Sequence, residues 1–355
     1  MRRNASFVKL TQWEHWPTLA YYLPLLPFFM WRSLRAGHPV HYLTTNPGLL
    51  FSGNGTESKF HTLSLVPERY TPKSLLIRAD RDVNSVMANL KESGLGFPLI
   101  VKPDIGFRGY LVRKVENEQA LQKYLAHVRE DVILQEFVPH LNELGVFYHR
   151  IPGEIKGKIT SLTIKRFLRV NGDGKKSLKE LILADERAFL YQDLFQNMHK
   201  ERMAEIPAAG EQVTLSVIGN HSKGTQFLNG NHLISERLTD LMDSICVQME
   251  GWYYGRLDIK FESMERLLQG ASFKILEVNG IISEPTHIYD AGYRGATFIS
   301  ALRSINRHWE IMGRIAVKNH RELGIPYPKV IPYLQNMFWL RSHTKKLKRL
   351  NAMDF

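Results

Sequence analysis

Two stretches late in the chain, GRLDIKF at 255–261 and FKILEVNG at 273–280, constrain the fold more than anything else in it. Side chains alternate faces along a strand, so Arg256 and Asp258 share one face, and so do Glu277 and Asn279. Leu257, Ile259, Ile275, Leu276 and Val278 supply apolar cover for the other side. The intervening residues 262–272 are few enough to make the two strands hairpin partners. Asp258, Glu277 and Asn279 then converge as three oxygen donors, with Arg256 beside them. A half-buried sheet that gathers carboxylates on one face must pair them with something cationic. Hard oxygen donors without sulfur or clustered imidazole suit Mg²⁺, an ion that also holds nucleotide phosphates. The alternative is an exposed hairpin whose polar face carries ordinary salt bridges.

Composition narrows the partner. The 355 residues are enough for two or three subdomains. A net charge of +12 asks for a polyanion: nucleic acid, an anionic membrane face or a triphosphate. No recognition-helix or aromatic RNA-stacking motif accompanies the charge, which argues against nucleic acid. The single cysteine, Cys246, excludes an internal disulfide framework and a Cys-rich zinc site. It fits a reducing compartment, so the expected location is the cytoplasm.

The apolar run WPTLAYYLPLLPFFMW, residues 16–31, is shorter than the roughly 20 apolar residues of a spanning helix. It is also interrupted by Pro17, Pro24 and Pro27. Arg2, Arg3 and Lys9 precede it, and Arg32 and Arg35 follow. Glu14, His15 and the lack of a clean cleavage site make it a poor secretory signal. Two readings stay open: a buried helix pair, or a peripheral anchor on the anionic inner face of a membrane, helped by the basic tail RSHTKKLKR.

Along the chain, SLLI at 74–77, FPLIVKP, YLVRKV, VILQEFV, LGVFYHRI and VTLSVIG read as strands. Helices are predicted over 80–93, after the cap Asn117, from Leu178 to Met203, along Ile234–Ile245 and from His308 onward. Strands and helices that mix without strict alternation predict an α+β fold. Lys102 closes one strand, and a loop with Gly106, Arg108 and Gly109 precedes the next, a hairpin able to fold over phosphate. NGDGKKS lacks the spacing of a phosphate-binding P-loop, and its glycines read as turn residues.

This order of strand, lysine, Gly-rich loop, VILQEFV, GRLDIKF and ILEVNG, from Asn54 to Asp290, resembles the ATP-grasp fold. It is most similar to the D-alanine–D-alanine ligase branch and related carboxylate–amine ligases. The resemblance implies two α+β subdomains gripping ATP, here with a truncated N-terminal domain. It divides the chain into an N-terminal region 1–71, a lid 72–138, a metal-bearing subdomain 139–325 and a basic helical tail 326–355. It implies ATP contacts from Lys59, Lys102, Gly106, Arg108 and Gly109. Gln135, Glu136, Phe137 and Val138 match the adenine hinge, with Gln135 standing where Glu is usual. Glu143 matches the ribose acid, and Lys165, in a connector like that of glutathione-forming enzymes, approaches phosphate. Lys102 and Arg256 take the catalytic charge-stabilising roles. Asp258, Glu277 and Asn279 hold two Mg²⁺, with Mn²⁺ as an alternative.

The implied reaction activates a carboxylate as an acyl phosphate and joins it to an amine. Two departures leave the small-molecule substrates open: the short N-terminal region, and IISEPTHIYD where the ligases receive their second amino acid. Glu284, His287 and Tyr289 are candidate substrate contacts there, and His221 and Lys223 a further pair, against the alternative of loops packed on themselves. The rival functions are a phosphotransferase on the same scaffold and a membrane-associated ATP-binding module without turnover.

Overall fold

The computed structural model describes residues 5–352; Arg2 and Arg3, and the tail residues 353–355, lie outside the described residues. Two antiparallel sheets form its halves. The first contains β1 (Ser74–Ile77), β2 (Leu99–Pro103), β3 (Arg113–Val115) and β4 (Val132–Glu136) in the order β1-β4-β2-β3. Helices α5 (Val83–Glu92) and α6 (Glu118–His127) cover it, starting where Asp82 and Asn117 cap free backbone N–H groups. Their Val86, Leu90, Leu121 and Leu125 meet Leu99, Val101 and Leu134 in one apolar cluster. β3 is shorter than YLVRKV suggests, because Leu111 adopts a positive φ and leaves the ladder.

The second sheet runs β11-β10-β5-β6-β9. Its members are β5 (Asn142–His149), β6 (Lys158–Arg166), β9 (Gln226–Asn229), β10 (Tyr254–Phe261) and β11 (Phe273–Asn279). Behind it lie α10 (Glu236–Cys246), started by the Ser235 cap, and α11 (Met264–Leu268). A smaller unit joins β7 (Arg169–Asn171) and β8 (Gln212–Thr214) to α7 (Leu178–Ala184), α8 (Glu186–Leu190) and α9 (Gln192–Met198). The single helix expected over 178–203 breaks at Asp185, whose carboxylate accepts from the N–H groups of Arg187 and Ala188 and starts a new helix. Of the strand expected over VTLSVIG only Val213 and Thr214 are kept, within β8.

The N-terminal region contributes α1 (Ala5–Thr11), α2 (Thr18–Tyr22), α3 (Leu26–Ala36) and α4 (Lys59–Ser64). It packs on α12 (Phe298–Glu322), where Asn319 donates to the carbonyls of Thr44 and Thr45. The run 16–31 is neither fully buried nor a span. Tyr21 and Leu25 join Ile288 and Ile305 in a core, while Leu19, Leu23, Met30 and Trp31 stay exposed. Among the described residues no helix is long and apolar enough to cross a membrane.

The basic tail is helical, as expected, and packs against the first sheet's unit. In α13 (Val330–Asn351) Leu347 is fully buried in the lid core, the Asn351 carboxamide accepts from the Leu111 N–H, and Lys346 pairs with Glu130. Leu340, just before the charge run, and Leu347 within it lie two turns apart and form a narrow apolar stripe. Leu347→Ala should therefore cost about 3 kcal/mol of stability in urea unfolding. Lys345→Ala, at an exposed position on the same helix, should stay within about 0.5 kcal/mol of the parent.

Candidate functional site

A cavity of about 1070 Å³ separates the two sheets, lined by the lid, the second sheet and residues of the N-terminal region. Its floor is the β10–β11 pair. Asp258 stands directly opposite Glu277 and Arg256 opposite Asn279, so the four polar groups share the cleft side. A β-bulge at this point reverses the alternation beyond Glu277. Ile275 thereby enters the core with Ile259 and Val278, whereas Leu276, expected on the buried side, lines the cleft.

Two lysines approach the floor, and local structure fixes both. Ser58 caps α4 by accepting from the His61 N–H, and Asp104 at the end of β2 accepts from Ser58 Oγ at 3.0 Å and the Phe60 N–H at 2.9 Å. This clamp ties the start of α4 to β2 and brings Lys59 to Glu277, with which it forms an ion pair. Burial works against the Lys59 ammonium, but Glu277 outweighs it and raises its pKa. Lys102 donates to Gln135 Oε1 at 3.0 Å and to the Leu276 carbonyl at 3.3 Å. With no carboxylate in direct contact, burial pulls its pKa down to about 8. Gln135 thus orients Lys102 while its Nε2 donates to Ser74 Oγ at 3.1 Å.

Asp258 is buried between two cations. Arg256 Nε reaches it at 2.8 Å and Lys165 Nζ at 3.2 Å. Burial alone would raise its pKa; Arg256 and Lys165 hold it at about 2. Lys165 also donates to Glu143 at 2.7 Å, so the residue expected on phosphate and the residue expected on ribose pair with each other. A Cβ on Gly219 would stand 2.1 Å from Glu143 Oε1, so only glycine lets that backbone cover the pair. Asp258, Glu277 and Asn279 offer oxygen donors from adjacent strands, and the buried Asn279 Nδ2 has no partner. That donor chemistry fits Mg²⁺.

The other expected residues distribute as follows. Phe137 and Val138 form the mouth beyond β4, with Lys114 above the Phe137 ring at 4.5 Å and Lys260 donating to the Val138 carbonyl at 3.4 Å. The Glu136 N–H is already bound to the Lys73 carbonyl at 2.9 Å. Gly106, Arg108 and Gly109 line the cleft, and the loop already touches the opposite wall, where Ser222 Oγ donates to the Arg108 carbonyl at 3.0 Å. Glu284 and Tyr289 line the cleft and are hydrogen-bonded to each other at 2.6 Å. His287 does not join them; it turns to Ser161 on β6 at 2.6 Å, and burial lowers its pKa to about 4. Lys223 is buried beneath Gly109, and burial brings its pKa to about 8.

Sequence reasoning passed over two contributions. Lys260 follows Arg256 and Asp258 on the same face, so strand alternation alone could have found it. The segment Glu14–Tyr22 forms another wall, and nothing local in its sequence announces that. Among the described residues Glu14, His15 and His221 are the one His/Cys/Asp/Glu cluster with metal-ligand spacing. Arg187 already contacts both Glu14 oxygens at 3.2 Å, so that carboxylate is engaged by a fixed cation.

Residues 56–200 match the profile of the RimK-like ATP-grasp domain. The chain carries an ATP-grasp domain, and its α+β fold is the ATP-grasp fold. Among curated proteins none matches. Similar solved structures include the VanG D-Ala:D-Ser ligase of Enterococcus faecalis, 13% identical, with 72% of this chain and 62% of that one aligned at a TM-score of 0.41. The D-alanine–D-alanine ligase of Bacillus anthracis gives 14%, 72%, 68% and 0.39. A bifunctional glutathione synthetase of Pasteurella multocida gives 18%, 66%, 35% and 0.35. The chain therefore spans less than two thirds of the first of these and about a third of the last.

Removing the Asp258 charge takes the carboxylate partner from buried Arg256 and leaves Lys165 with Glu143 alone. Asp258→Asn should cost about 3–5 kcal/mol in urea unfolding near neutral pH. A carboxylate depressed in the folded state stabilises above its unfolded pKa and loses that contribution as pH falls through the folded value. Between about pH 4 and pH 2 the parent should thus lose stability more steeply than Asp258→Asn, as read from urea midpoints across that window.

Proposed function

We propose that the protein is an ATP-dependent ligase that activates a carboxylate and joins it to an amine. The observation that supports this most is the register of the cleft floor, which sets Asp258 against Glu277 and Arg256 against Asn279, facing Lys59 and Lys102. A polyanion entering there meets Lys102 and Arg256 already in place to oppose its charge, and Lys59 one ion-pair exchange away. Phosphoryl transfer asks for little else beyond position.

In this reading Lys102 and Arg256 oppose the charge of the transferring phosphoryl group, and Lys59 moves from Glu277 to phosphate. Asp258, Glu277 and Asn279 would hold Mg²⁺, which when bound neutralises charge on the β- and γ-phosphates. Phe137 and the Val138 backbone flank the base, and Glu143 meets ribose on releasing Lys165. A substrate carboxylate oxygen attacks the γ-phosphorus, the bond to the β,γ-bridging oxygen breaks, and ADP departs. The amine then attacks the acyl carbon, the acyl carbon–oxygen bond breaks, phosphate leaves, and the amine proton passes to solvent or a nearby base. The 104–112 loop, which reaches Ser222 across the cleft, keeps water from the acyl phosphate. Glu284 and Tyr289 contact the substrate.

Purified protein, ATP and Mg²⁺ screened against carboxylates, each with and without an amine, should release ADP in an amine-dependent way for the true pair. ADP release from a hydroxyl acceptor with no amine requirement would instead establish a phosphotransferase. Glu277→Ala should abolish ADP formation while leaving the unfolding transition cooperative; near-normal turnover would refute the assignment.

Lys102 yields a second outcome. Its ammonium binds phosphate, and the free protein loses that proton as pH rises through about 8. ATP affinity should fall with rising pH above that value, by up to about tenfold per unit. Lys102→Arg should abolish the fall, because a guanidinium stays protonated. Titration calorimetry from pH 7 to pH 10 reads both.

A further inference from the structure

The two sides of α2 meet different media. Tyr21 is buried, and Tyr22 donates to Glu284 in the cleft wall and stacks on Trp309 at 5.5 Å. Leu19 and Leu23, at the other side of the same turn and its end, are 72% and 65% exposed. α3 continues the division. Leu25 just before it and Phe29 within it turn inward, Phe29 lying edge-on to Trp309 at 5.2 Å. Trp31 and Leu34 are 61% and 73% exposed. A helix on a watered surface shows its polar side outward; here the outward side is apolar, a pattern that marks an interaction surface.

Charge identifies what covers it. Between residues 1 and 56 the sole carboxylate is Glu14, which is buried and held by Arg187. Exposed Arg35 sits on α3. Exposed Arg303 and Arg307 sit on α12, which the Arg32–Asn306 hydrogen bond ties to α3 at 2.9 Å. Exposed tryptophan and leucine flanked by Arg35, Arg303 and Arg307, which outnumber the opposing exposed carboxylate of Glu310 near Arg32, match the boundary zone of a negatively charged lipid surface.

We infer that α2 and α3 dock the protein on an anionic phospholipid bilayer, with the Tyr21–Tyr22 wall of the cleft one helix diameter, about 10 Å, behind the docked surface. The contact is independent of what the cleft catalyses. The test is flotation of the full chain with vesicles of phosphatidylcholine alone, or containing about 30% phosphatidylglycerol, at about 0.1 M and about 0.5 M salt. The protein should float with the anionic vesicles at low salt and lose about tenfold in partitioning at high salt or on neutral vesicles. Trp31→Glu and Leu34→Glu should each lower partitioning about tenfold at an unchanged thermal midpoint, since both side chains are largely exposed. Arg35→Glu should weaken binding to anionic vesicles only. Deleting 1–35 is not a usable test, because it removes Tyr21 and Leu25 from the core. Absent flotation, equal flotation with neutral vesicles, or Trp31→Glu binding as well as the parent would each overturn the inference. So would sedimentation showing a dimer that Trp31→Glu disperses, which would assign the face to a second copy of the chain.

Discussion

The arrangement depends on an excess of buried positive charge around the β10–β11 floor. Lys59, Lys102, Lys165, Arg256 and Lys260 line the cleft there, against Glu57, Glu143, Asp258 and Glu277. Each carboxylate has a cationic neighbour, and Asp258 has two, so the pairing leaves cations over. Lys102 shows the consequence: it makes do with a carboxamide and a carbonyl, and its ammonium is the easier to deprotonate for it. Burying unbalanced charge is costly unless something completes it. A polyanion completes it, and nothing in the packing of the two sheets requires the excess for its own sake.

The same charges hold the two walls of the cleft together. Lys59 reaches across to Glu277, so α4 and β11 are joined by an ion pair. Lys102 reaches the Leu276 carbonyl only because the β-bulge turns Leu276 into the cleft. The loop after β2 leans on Ser222. Nucleotide entry must exchange the first of these contacts and open the last. Closure is therefore built from bonds that a bound triphosphate can replace, an arrangement that allows opening without leaving a charge stranded.

How much of this was legible in the sequence follows from the range of the interactions. The floor was readable because alternation in two short strands fixes which side chains share a face, and a hairpin-length link fixes their pairing. The cap Asn117 was readable for a similar reason, since it acts within three residues. What escaped was non-local. β6 and β9 join the sheet through segments mixed enough in polarity to read as connector, although β6 still sends Ile159 and Leu162 into the core. The break at Asp185 depends on a carboxylate choosing backbone N–H groups over helix continuation. The pairing of Lys165 with Glu143 depends on register between β5 and β6, which no local pattern sets.

The two ends of the chain make the same point with opposite outcomes. α13 carries a run of lysines and arginines that suggests a solvated helix, yet one stripe of leucine carries it into the lid core. The 16–31 run is apolar enough to suggest burial, yet half of it remains outside. In both, mean composition misleads because a helix has sides, and the decision belongs to the residues three and four apart rather than to the segment as a whole. For α13 the minority side finds a partner within the protein. For α2 and α3 the inward side is already satisfied by Tyr289, Phe298 and Trp309, so the apolar outward side has no partner left inside the fold to claim.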